Sequence, residues 1–179
     1  LFMRGNFGRY AQFPETTQSN SPMAGNDQLA TRGASWAFLR YVADRAGAVD
    51  GDFWRRLVDG RHTGAPNLDA ALAGTGMSAV GALKDWATAV AMDDLVPAVD
   101  PAFTQPSWLF STSMPALGYR GGPHAFVLLD GQPSSIQVRA GGSVYFFFAL
   151  DAGREGLVQI LSGGGVAQPG MRLTLMRIK

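Results

Sequence analysis

Residues 32–47 read RGASWAFLRYVADRAG, and their reading decides the fold. Trp36, Phe38, Leu39, Tyr41 and Val42 stand among Gly33, Ala34, Ala37 and Ala43, so a helix here is apolar almost all round and belongs in a core. The row Ala30, Gly33, Ala34, Ala37 offers a flat side that another backbone can approach closely. Arg40 and Asp44 form an i,i+4 pair on the one polar edge. Asp27 fits the N-cap and Gly47 the C′ stop, which sets the helix from about Gln28 onward.

Three more helices follow at helical spacing. In DGDFWRRLVDG (50–60) Asp50 or Asp52 is the cap, Phe53, Trp54, Leu57 and Val58 face inward, and Gly60 ends the element. NLDAALAG (67–74) is a short helix capped by Asn67. SAVGALKDWATAVAMDD (78–94) is capped by Ser78, with Val80, Leu83, Ala87, Val90 and Ala91 on its inner face. Upstream, FGRYAQFPETTQSNSPMAGND (7–27) reads as an irregular loop that packs its aromatics on something else. Residues 1–96 therefore form a small helical bundle.

Pro97, Pro101 and Pro106 break the pattern, and residues 97–123 read as a Pro/Gly-rich connector. The period then changes from 3.6 to 2. AFVLLD, SSIQVRA, SVYFFFALD, GLVQILS and MRLTLMRIK are strand candidates separated by DGQP, AGG, AGREG and GGGVAQPG. TQPSWLFST (104–112) is a candidate sixth strand. The expectation is an α+β protein: a helical bundle, then an antiparallel β-sandwich or jelly roll over 124–179, with SVYFFFALD at its centre.

Composition narrows function mostly by exclusion. Hydrophobic residues make up 46% and charged residues 16%, with net charge +1, so nothing argues for nucleic acid or an anionic membrane. No apolar run is long enough to span a bilayer. The absence of cysteine removes disulfides, thiolate zinc sites and a Cys nucleophile. Thirteen Arg against Lys84 and Lys179, and twelve Asp against Glu15 and Glu155, read as the coding bias of a GC-rich bacterium. The chain opens on Leu1 with a long stretch lacking an element, which suggests a piece of a longer parent.

RGASWAFLRYVADRAG, followed by LKDWATAVAMDD (83–94), resembles the C-terminal helical part of gluzincin zinc metallopeptidases of the hyicolysin type. The matching residues are Gly33, Ala34, Trp36, Phe38 and Leu39, then Asp85, Trp86, Ala87, Ala89, Asp93 and Asp94; the likeness covers about 28–95. In that family two His of an HExxH helix and a Glu on a following helix hold zinc, and the HExxH Glu activates water. Here His62 and His124 lie far apart in sequence, Glu15 and Glu155 sit on no suitable helix, and Ala30 and Arg32 stand where aminopeptidase-like relatives have their tyrosine region. No catalytic, cofactor or metal residue carries over. The resemblance implies the non-catalytic C-terminal portion of a secreted or periplasmic bacterial hydrolase. Zinc, the peptide or protein substrate and the catalytic subdomain then belong to the parent upstream.

Candidate site residues have competing readings. His62, in the loop DGRHTGAP, is a metal ligand or a solvated loop residue. His124, in RGGPHAF, would need the two domains to bring it to His62. Asp93 and Asp94 hold calcium or an arginine, or simply close the turn after their helix. Asp50 and Asp52 are acids or N-caps. Trp36, Trp54 and Trp86 are core residues before they are a sugar platform, whereas Trp108 is placed to clamp the two domains. No G-x-S-x-G is present, and the glycines of GGGVAQPG form a turn and no phosphate cradle. The rivals to the peptidase-tail reading are a stand-alone β-sandwich binding or structural protein and a hydrolase built on His62 and His124.

Overall fold

The computed structural model describes residues 2–47, 50–93, 95, 100–162, 165–166 and 170–178. Helices α1 (Phe2–Tyr10), α2 (Leu29–Arg45), α3 (Asp50–Val58), α4 (Gly64–Ala71), α5 (Ala79–Met92) and α6 (Phe110–Ala116) hold the core, with a 3₁₀ turn at Pro101–Phe103 before α6. Strands β1 (Ala125–Val127) and β2 (Tyr145–Phe147) pair in parallel, and β3 (Leu161–Ser162) pairs with β4 (Gly165–Val166) in a tiny antiparallel ladder.

α2 is the central helix. Ala30, Gly33, Ala34, Ala37, Phe38, Tyr41 and Val42 are all buried on it. Its small-residue row receives α1: a Cβ on Gly33 would lie 2.4 Å from the backbone of Arg9 and Tyr10. The expected loop at the start of the chain is thus corrected to a helix over 2–10. Gly5 and Gly8 are poor helix formers, yet burial of Phe7 and Tyr10 against α2 overrides their propensity. The turns after α1 bury Phe13 and Pro14 as well.

The caps differ in part from those the sequence suggests. Asp27 does not cap α2: Gln28 is the N-cap residue without a side-chain bond, and Asp27 pairs instead with exposed Arg32. Gly47 does end α2, with φ +63°. Asp50 opens α3 and joins Arg40 and Asp44 in one ion-pair group. Asn67 is no cap either. It lies inside α4, which begins at Gly64 after N-cap Thr63, and its Nδ2 donates to Leu57 O at 2.8 Å, satisfying a carbonyl at the end of α3. Ser78 caps α5 as expected, accepting from Gly81 N–H at 3.1 Å, and Asp69 accepts from Ala79 N–H at 2.6 Å. Val58 and Val80, expected inside, are exposed.

The β-sandwich is not formed. TQPSWLFST is no strand: its second half starts α6, which buries Phe110 and Met114. Among the described residues from 125 to 178 none is buried, and only the two short pairs above form ladders. The reason lies in where the backbone groups go. Arg139 N–H donates to Gln18 O at 2.9 Å, Ser143 N–H to Thr17 O at 3.0 Å and His124 N–H to Pro14 O at 2.7 Å. These three bonds dock the segments on the 14–18 loop of the helical part, so the one ladder they do form, β1 with β2, stays three residues long. Alternating sequence permits a strand but does not select its partner.

Candidate functional site

A cleft of about 560 Å³ opens between the end of α2, the start of α5 and the 3₁₀ turn. Its walls are Tyr41, Arg45, Ser78, Asp85, Pro101 and Thr104. α2 and α5 cross here because Phe38 and Trp86 pack together deeper in the core, ring centroids 5.5 Å apart. The Arg45 guanidinium carbon stands 3.7 Å from the centroid of the Tyr41 ring. Its guanidinium donates to Pro101 O at 2.6 Å and also to Thr104 O. The Tyr41 hydroxyl donates to Ala102 O at 2.5 Å. Together these bonds tie the 3₁₀ turn to α2. Asp85 pairs with Arg172 from the C-terminal segment. Asp44 accepts from Arg40 Nε and Ser107 Oγ, each at 2.8 Å.

Every charged group of the cleft therefore has an internal partner. Arg40 is held in its charged form first by Asp50, then against the cost of burial, by Asp44. Ser78 Oγ spends its bond as the cap of α5. Among the described residues no histidine or carboxylate reaches it, so no nucleophile and base stand together. The arrangement fastens elements and offers a small, mostly apolar hollow.

The expected candidates are dispersed. His62 is exposed in the loop between α3 and α4. His124 is half-buried, its ring edge-on to Phe126 at 4.9 Å. No contact joins the two among the described residues, and no group of three or more His, Asp or Glu there could hold a metal ion. Glu15 faces Arg120 at 3.4 Å on the surface, and Glu155 is exposed. Asp93 is buried just after α5, where its carboxylate accepts the N–H of Ser111 in the first turn of α6. That supplies an acceptor to an orphan helix donor. Asp94 lies outside the described residues. Trp86 is fully buried and stacked on Phe13, centroids 5.2 Å apart. Trp108 does not clamp two domains: it stacks on Trp36 at 4.5 Å, with Phe7 edge-on to both, and anchors the connector to α1 and α2.

The roles of Tyr41, Arg45 and Arg172 have no counterpart among the residues the sequence singles out. A Tyr–Arg pair at i,i+4 was visible in YVADR, but the carbonyls it binds lie far along the chain, and no local signal marks them.

Tyr10 and Tyr41, which are buried, and Tyr145, which is half-buried, give the fold an alkaline limit. Burial raises Tyr41 to about 12. Burial also raises Tyr10 and Tyr145, whose hydroxyl donates to Ala87 O at 2.7 Å. In the unfolded chain these phenols lose their protons near pH 10, before the folded ones do. Stability is therefore full below pH 10 and falls as pH rises toward 12, by on the order of 2 kcal/mol for Tyr41 alone. Urea unfolding at pH 8, 10 and 11.5 should show that decline, and Tyr41→Phe should make it shallower.

No helix among the described residues is long and apolar enough to cross a membrane. No protein-family model matches the chain, and neither a curated protein nor a solved structure matches it.

Proposed function

We propose that this chain is the non-catalytic C-terminal part of a bacterial, extracytoplasmic zinc metallopeptidase of gluzincin type. In this reading the HExxH helix, the zinc and the peptide-cleaving water belong to the preceding part of the parent, and α2 with α5 backs that catalytic part. One observation carries the reading. Three of the residues on which the likeness rests serve packing: Gly33 seats α1, while Phe38 on α2 packs on Trp86 of α5. Motifs that matter for packing, beside a cleft whose charges are all internally paired, fit a scaffold for chemistry done elsewhere.

The coding sequence before Leu1 tests this directly. An HExxH within about 150 residues upstream, with a Glu on the next helix, is the expected result. A parent with no such element overturns the proposal. The purified 179-residue chain should also carry far less than one zinc and cleave no casein. One zinc per chain together with cleavage would move the chemistry into these residues and overturn it equally.

A stand-alone binding protein is the second reading, favoured by the exposed apolar residues of the C-terminal segment. Its recognition module would not be a β-sandwich, since none is formed.

A further inference from the structure

The stretch Met171–Leu175 buries nothing, yet it delivers a charge to the cleft. Met171, Leu173 and Leu175 are 55%, 67% and 74% exposed, and no backbone hydrogen bond among the described residues fixes 171–175. Two polar side chains hold it to the helices. Thr174 Oγ1 is 3.4 Å from Thr88 Oγ1, and Arg172 pairs with Asp85, a wall of the cleft. The Arg172 guanidinium also stands 5.5 Å over the ring of Phe103, the last residue of the 3₁₀ turn. A segment with few buried contacts and no backbone bonds lifts at little cost to the core beneath it.

We propose that Asp85 and Phe103 form a binding site for an arginine side chain, filled at rest by the chain's own Arg172 and open to an arginine-bearing peptide when that stretch lifts. Three observations carry this. The first is the chemistry of the walls. A carboxylate beside an aromatic face suits a planar guanidinium, which bonds the one and lies against the other, whereas a compact ammonium keeps its water. The second is charge. Arg45 gives its guanidinium to Pro101 O and Thr104 O, and Arg172 is the one described ion-pair partner of Asp85, so lifting it leaves a carboxylate in need of a cation. The third is room. Arg172 meets Asp85 at the edge of the cleft and leaves its volume of about 560 Å³ open, where Tyr41, Met77, Pro101 and Pro106 offer apolar surface to the residue beside an incoming arginine. Arg172, being tethered, competes at an effective concentration on the order of millimolar, and a peptide that also fills the cleft outbids it. The site stands whether or not the parent cleaves peptides.

Nuclear magnetic resonance titration of the full chain with N-acetyl-arginine N-methylamide tests this. Arg172→Ala should bind the probe with saturable shifts at Tyr41, Asp85 and Phe103, at least about fivefold more tightly than the unaltered chain, because the internal competitor is gone. Arg172→Gln is a second opened variant and should behave alike, with the far-ultraviolet spectrum of both unchanged. N-acetyl-lysine N-methylamide should bind either opened variant several-fold more weakly. Adding Asp85→Asn to Arg172→Ala should abolish the saturable shifts. The proposal is overturned if neither opened variant shows saturable shifts up to about 20 mM probe. Equal affinity of the opened and unaltered chains overturns it too, as does equal binding of the lysine probe or an affinity that survives Asp85→Asn.

Discussion

Trp86→Ala lowers the unfolding free energy by about 4 kcal/mol, the largest loss expected from any single truncation here. Trp86 is 1% exposed and lies where α2, α5 and the turns after α1 converge. Its indole stacks on Phe13 with 18° between the planes and touches Phe38 at 5.5 Å, so its removal leaves a cavity lined by rigid rings that cannot collapse into it. A second effect works the other way. Trp86 Nε1 is buried without a described hydrogen-bond partner, and deleting an unsatisfied donor recovers part of its desolvation cost, about 1 kcal/mol. Trp86→Phe keeps most of the ring contact and also removes that donor, so it should cost only about 1 kcal/mol. Equilibrium urea unfolding followed by circular dichroism separates the two variants. Equal losses for alanine and phenylalanine would contradict the packing account.

Gly33→Ala should destabilise by about 3 kcal/mol, although alanine is the better helix former. Propensity alone predicts a gain of about 1 kcal/mol. Contact decides the sign. The new Cβ would stand 2.4 Å from Arg9 C and Tyr10 N, and these are backbone atoms that cannot swing aside. α1 must lift from α2, which loosens Phe7 and Tyr10 and, through them, the Trp36–Trp108 stack. Gly51 supplies the internal contrast. It sits in the first turn of α3 with nothing within 4 Å of the position its Cβ would take, so Gly51→Ala should stabilise by about 0.5 kcal/mol. The same chemical change then has opposite signs on two helices of one molecule. Denaturation midpoints moving in the same direction for both variants would refute the close approach of α1 to α2.

The sequence by itself determined the helical elements whose signals are local. Residues 28–46 and 78–92 announce themselves through periodicity, a Ser78 cap and a Gly47 stop, because a helix closes its hydrogen bonds within a few residues. The small-residue row on α2 even revealed that a backbone would lie there. It did not reveal which one, since α1 has the glycines of a loop and becomes a helix only where Phe7 and Tyr10 find α2.

The candidate site was legible only in part. Asp44 and Arg45 could be seen as charges at the end of α2 and Asp85 as one within α5, but Pro101 O, Thr104 O and Arg172, which bind Arg45 and Asp85, come from distant segments. His62 and His124 drew attention as residue types, and tertiary structure left them apart. The C-terminal half marks the boundary most sharply. Alternation over 125–178 was real, yet a strand stores its hydrogen bonds in a partner and not in itself. Gln18 O and Thr17 O took the N–H groups of Arg139 and Ser143, and Asp85 and Thr88 took the polar side of Met171–Leu175. Only the three-dimensional contest between those partners decided that a helical core, and no sandwich, would form, and that an apolar row would be left facing water.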